Sequence, residues 1–241
     1  MAVGSLFCNA IYIFTDEFWR TPFRFSMNII FFIAYLSTLS PLVVLTLCFR
    51  IKNISYELRL IRLLMLFSIV IDLACLFMSK NGINTHPLGN LFSLIQSIIF
   101  TLIFFNALKL KKFAIGAAII YSTFFLINYF LIQSPYQFNS YSHTISSVLF
   151  ILLALLYFKL LLKDLPEDFV YGIPMIWICV GVLVYYSGNI FLFILNNYFS
   201  NRVDGIQGTL WIIHNLLNIS KNLLFFIALW QSQHKISSSS S

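Results

Sequence analysis

Residues 210–230 read LWIIHNLLNISKNLLFFIALW. The run holds no Gly or Pro, and its single formally charged side chain is Lys221. At 1.5 Å per residue a helix of this length is about 30 Å long, the thickness of a bilayer's hydrocarbon core. In lipid only a helix or a closed barrel satisfies its own backbone. A continuous apolar run argues for the helix, because a barrel strand alternates apolar and polar residues. The stretch predicts a membrane-crossing helix that carries His214, Asn218 and Lys221 through the membrane interior.

Six more apolar blocks of spanning length precede it, each bounded by charged or turn residues. They cover Met27–Cys48, Leu58–Met78, Leu88–Leu108, Phe113–Ile132, His143–Leu162 and Tyr171–Tyr198; the last span covers Gly208–Trp230. The expectation is an all-α integral membrane protein, a bundle of about seven transmembrane helices over 27–233. Residues 1–26 are expected to form an interfacial, extracytoplasmic segment, and 234–241 a disordered cytoplasmic tail ending in serines. Asp164-Leu165-Pro166-Glu167-Asp168 reads as a helix start, with an N-cap, a proline in the first turn and two acids at the positive helix end. Pro174 either kinks the sixth helix or marks its true start, and Pro41 should bend the first.

Composition agrees. Of 241 residues 60% are hydrophobic and only 10% charged, where a soluble domain is about 25% charged. The net charge is +7, but the basic residues cluster in short turns. That pattern reflects membrane orientation and points away from nucleic acid. Ten of them fall on one side: Arg50, Lys52, Arg59, Arg62, Lys109, Lys111, Lys112, Lys159, Lys163 and Lys235. Four fall on the other: Arg20, Arg24, Lys80 and Arg202. The richer side should be cytoplasmic, leaving the N-terminus outside and the C-terminus inside. Cys8, Cys48, Cys75 and Cys179 show neither metal nor disulfide spacing and read as small packing residues.

Ionisable groups inside a membrane are costly and therefore functional candidates. Three lie within spans: Asp72, His214 and Lys221. Measured from the span ends, Asp72, Gln96, Asn128, Asn189, Asn196 and His214 all fall in the outer half, which suggests a cavity open to the outside. Lys221 lies about 10 Å deeper than His214. On the last span Trp211, His214, Asn218 and Lys221 share a face, and on the sixth Tyr185, Asn189 and Asn196 do. Both faces should look inward. Asp72 matches His214 in depth and is its expected partner, whereas Lys221 meets Asp72 only if helix tilt closes the gap. The candidate ligand-binding set is Asp72, Gln96, Tyr185, Asn189, Trp211, His214, Asn218 and Lys221.

Several chemistries are disfavoured. A retinal Schiff base on Lys221 needs a carboxylate counter-ion, and the third span has no acid. A zinc hydrolase wants several histidines, yet Asn218 stands where a second would, and His86, His143 and His234 fall at span ends or beyond. No nucleophile elbow is present. Neither catalysis, metal nor cofactor is expected.

The runs LPEDFVYGIPMIWICVGVLVYYSGNIFLFILNNY and LWIIHNLLNISKNLLFFIALW, with Trp211, His214-Asn215, Asn218 and Lys221-Asn222, resemble an uncharacterised family of small stand-alone seven-helix inner-membrane proteins of Bacteroidetes-type bacteria. Asp72 and the short loops fit the same pattern. The resemblance implies a bacterial inner-membrane location. The expected function is a sensor that binds a small molecule in an outer cavity and signals to a cytoplasmic protein. The alternative is a small-solute or proton-coupled transporter using the same residues.

Overall fold

Where a helix can start and stop in this chain is decided by a few local devices. Ser55 caps the helix that follows it, its hydroxyl accepting from the Leu58 amide at 3.5 Å. Asn139 does the same three helices later, through the Ser142 amide. Pro174 is the first residue of its helix, where a missing N–H costs nothing.

The computed structural model describes residues 24–51, 54–163, 172–202 and 206–238. Seven α-helices fill them: α1 (Arg24–Arg50), α2 (Tyr56–Lys80), α3 (His86–Ala107), α4 (Lys111–Ile127), α5 (Ser140–Lys163), α6 (Pro174–Arg202) and α7 (Ile206–Ser238). A π-turn, Asn128–Ile132, ends α4. The described residues contain no strand. Six helices are long and apolar enough to cross a membrane, and α4 adds the shorter apolar stretch Gly116–Ile132. The helix over α7 runs on to Ser238, past the end expected at 233. Residues 1–23, the Asp164–Asp168 helix start and 239–241 lie outside the described residues.

The main packing contacts form a closed ring, α1–α2–α3–α5–α6–α7 and back to α1, with α4 outside it against α3. Polarity is inverted relative to a soluble protein. Phe77, Ile120, Phe130, Leu131 and Phe191 point outward, while Asn90, Asn128, Ser142, Ser147, Asn189 and His214 are fully enclosed. An exterior of this kind suits lipid. The core is aromatic: Phe100 of α3 meets Phe150 of α5, Tyr186 of α6 and Phe225 of α7 edge-on, at 5.5, 6.0 and 6.2 Å between ring centres.

Small residues let the helices approach. Ser93, Ser97 and Thr101 on α3 and Ser142, Ser146 and Ser147 on α5 are buried. Tyr121 reaches from α4 into this seam, joined to Ser97 Oγ at 3.2 Å. Between α6 and α7 the approach rests on glycine. A Cβ at Gly181 would meet Phe225 Cε1 at 3.1 Å and Leu224 Cβ at 3.3 Å.

Pro41 does not break α1. Proline leaves the carbonyl four residues back without its usual amide, and that carbonyl, of Ser37, accepts from the Ser40 hydroxyl at 2.7 Å.

Two helix ends use the same left-handed closure. After α2, Gly82 sits at φ 68°, and the Ile83 and Gly82 amides bond back to Met78 O and Ser79 O, both at 2.9 Å. After α3, Lys109 takes the glycine's place at φ 57°, with Leu110 and Lys109 bonding Phe105 O and Asn106 O. These are Schellman motifs, and the second carries a side chain where glycine is favoured.

Candidate functional site

The polar stripe on α7 has a geometry that follows from the helix repeat. At about 100° per residue, His214 and Lys221 point within roughly 20° of each other, while Asn218 and Asn222 are turned progressively to one side. The structure sends the two sets to different neighbours.

The His214 side faces α6. His214 is fully enclosed, and its Nδ1 lies 2.8 Å from Asn189 Oδ1. Asn189 donates from Nδ2 to the Tyr185 carbonyl at 2.8 Å, which fixes its Oδ1 toward the imidazole. The oxygen can only accept, so Nδ1 carries the proton, and in the neutral ring Nε2 is a bare lone pair. His214 Nε2 has no partner among the described residues. Around the imidazole stand Trp211, Tyr185 and Phe193, with ring centres at 5.4, 5.7 and 6.1 Å.

Lys221 lies two turns further along. It is 5% exposed, with Nζ 4.5 Å from the centre of the Tyr185 ring and 5.9 Å from that of Phe225. An ammonium over an aromatic face is stabilised by about 0.5–2 kcal/mol, more as water is withdrawn. On the facing α2, Asp72 is the acid whose charge acts on Lys221. Asp72 itself is partly exposed. The Tyr185 hydroxyl, enclosed on the same ring that carries the amine, has no partner among the described residues.

The Asn218 side faces α1. Asn218 Nδ2 donates to Ser37 Oγ at 3.0 Å, and Asn222 Nδ2 to Ser40 Oγ at 2.6 Å. Ser40 relays onward to the carbonyl freed by Pro41. This is a neutral clasp between two helices. Gln96, buried on α3, hydrogen-bonds Tyr186 of α6.

Six of the eight candidate residues therefore meet around the α6–α7 seam and the facing part of α2: Asp72, Tyr185, Asn189, Trp211, His214 and Lys221. Gln96 is connected through Tyr186, which is edge-on to Tyr185 at 5.0 Å. Asn218 is turned to α1. The expected Asp72–His214 pairing is not formed, because Asn189 occupies His214 and Asp72 is coupled to Lys221. Apart from Asp72, the eight are at most 9% exposed. A solute reaches them only if helices part.

Asn196 and Asn128 complete the outer-half residues named from the sequence. The side chain of Asn196 lies outside the described residues. Asn128 organises the α4–α5 corner, with Nδ2 directed at Gln133 Oε1, Asn139 Oδ1 and Ser142 Oγ. Asn90 ties α3 to the same loop through the carbonyls of Pro135 and Gln137.

Residues absent from the expected set are Tyr186, Phe193 and His143. His143, expected at a span end, is 4% exposed. The loop before α5 folds Phe138 flat over its ring at 4.6 Å, and Phe193 closes the other approach at 5.0 Å. Its Nε2 is also unpartnered. No group of three or more His, Cys, Asp or Glu among the described residues is placed to hold a metal ion. Searches against family models, curated proteins and solved structures found no match to this chain.

Proposed function

We propose that the protein is a multi-pass membrane sensor that binds a small molecule between α6, α7 and α2 and signals to a cytoplasmic partner. One observation carries this reading: the enclosed Lys221 amine on Tyr185 stands beside two enclosed polar atoms, Tyr185 Oη and His214 Nε2, that have no partner among the described residues. Burying a polar group without a partner costs roughly 1–3 kcal/mol, and a ligand that pairs both atoms recovers that cost. A ligand that pairs them must displace α6 relative to α7, since glycine contacts hold the two helices close. That displacement is the signal.

Orientation rests on the Lys and Arg counts, which place the N-terminus outside and the C-terminus in the cytoplasm. Location in a bacterial inner membrane rests on the resemblance in the last two spans. The second reading, a transporter, is favoured by the intramembrane Asp72–Lys221 pair, two groups suited to relaying a proton.

Reconstitution separates them. Protein in sealed liposomes, with spin labels at Leu162→Cys on α5 and Gln233→Cys on α7, is exposed to fractionated metabolites. A sensor shows a change in label distance with no solute entering the vesicles. Solute flux that depends on Lys221 overturns the sensor reading and leaves the transporter.

A further inference from the structure

The open valences at this site differ in kind, and together they describe a chemical group. His214 Nε2 offers a lone pair and asks for a donor, because Asn189 fixes the proton on Nδ1. Tyr185 Oη–H asks for an acceptor. Lys221 Nζ, 4.5 Å from the centre of that tyrosine ring, offers further donors and a positive charge. The imidazole and phenol ring centres are 5.7 Å apart and Lys221 Nζ lies 4.5 Å from the second, so the three side chains neighbour one another in the α6–α7 seam. Beside them the walls are apolar: Trp211 and Phe193 flank the imidazole and Phe225 lies under the ammonium.

We infer that the ligand is a lipophilic carboxylic acid, with its carboxyl group shared among His214 Nε2, Tyr185 Oη and Lys221 and its apolar body against these aromatic walls. The inference rests on reading this seam as a ligand site. A carboxyl group supplies an O–H for the imidazole and acceptor oxygens for the phenol and the ammonium. An alcohol supplies the donor and two lone pairs, but all on one oxygen atom and without the charge that answers Lys221. An amine brings a second cation beside Lys221.

Three probes with one apolar body test it: 4-phenylbutyrate, 4-phenylbutanol and 4-phenylbutylamine. Each is equilibrated with full-length protein in lipid nanodiscs, with empty nanodiscs subtracted. The acid should bind saturably, one per chain, at least tenfold more tightly than the other two. Lys221→Met and Tyr185→Phe should each weaken it several-fold. Tyr185→Phe keeps the ring under the ammonium and removes only the hydroxyl, so it reports on the hydroxyl even where Lys221→Met unfolds the protein. Equal or tighter binding of the alcohol or amine, still sensitive to Tyr185→Phe, overturns the acid and spares the site. Acid binding unaffected by Tyr185→Phe overturns both. No saturable acid binding above empty nanodiscs overturns the inference.

Discussion

The two sides of α7 are built from similar residues and do different things. Toward α1, Asn218 and Asn222 meet Ser37 and Ser40, and each carboxamide donates across the interface. These four side chains are neutral, and the buried atom they leave open among the described residues is the Asn222 amide oxygen, an acceptor, which is the cheaper kind of valence to leave unfilled. Toward α6, the same helix presents the Lys221 amine and an imidazole with a bare nitrogen, and α6 meets them with the Tyr185 phenol, whose hydroxyl has no partner among the described residues. In lipid an interhelical hydrogen bond contributes about 0.6 kcal/mol on average, enough to fix one helix beside another. An enclosed amine, an unpaired donor and a bare lone pair exceed what packing requires. The contrast assigns architecture to the α1 side and ligand contact to the α6 side.

The largest expected effect breaks the charge pair. Lys221→Met should destabilise the protein by roughly 3 kcal/mol, because Asp72 loses its countercharge in a membrane interior. The double variant Asp72→Asn/Lys221→Met should recover most of that. Unfolding measured in detergent or bicelles provides the cycle, and additive losses mean the two groups are not coupled. Next comes the glycine seam. Gly181→Leu should cost about 1–3 kcal/mol by overpacking against Phe225 and Leu224. At Gly116 a Cβ meets nothing within 4 Å, so Gly116→Leu should leave the melting temperature unchanged. A matching loss at both glycines would break the account of the α6–α7 approach.

Smaller still is the α1 clasp. Asn222→Ala should cost about 1 kcal/mol in stability and leave ligand binding intact. A loss of binding there would erase the distinction between the two sides. The smallest effect is a gain. Lys109→Gly relieves a left-handed residue at the end of α3, and thermal unfolding should show about 0.5–1 kcal/mol of added stability. Binding should not change, since the residue lies in the α3–α4 turn, away from both sides of α7.

The sequence reveals the helices because an apolar block of about 20 residues has few alternatives in lipid. The inward orientation of α7 is legible for the same reason: a stripe holding His214, Asn218 and Lys221 is costly against acyl chains. Partner choice is not legible. Depth counted along straight helices matches Asp72 with His214, yet Lys221 is the residue coupled to Asp72, because tilt and rotation come from packing. The α1 side had a readable signal, two serines just ahead of Pro41 inside an apolar span, where a proline frees a carbonyl that a hydroxyl can take. His143 had none. Its burial depends on how the loop before α5 folds back to lay Phe138 over it, and no spacing rule encodes that.

The account's central claim is that the α6 side of α7 binds a ligand and the α1 side does not. The most direct test is the set of small molecules retained from a cell extract by purified wild type, Lys221→Met and Asn222→Ala, each shown to be folded by its melting temperature. The account predicts one retained species common to wild type and Asn222→Ala and absent from Lys221→Met. Retention of that species by Lys221→Met, or its loss from folded Asn222→Ala, contradicts it.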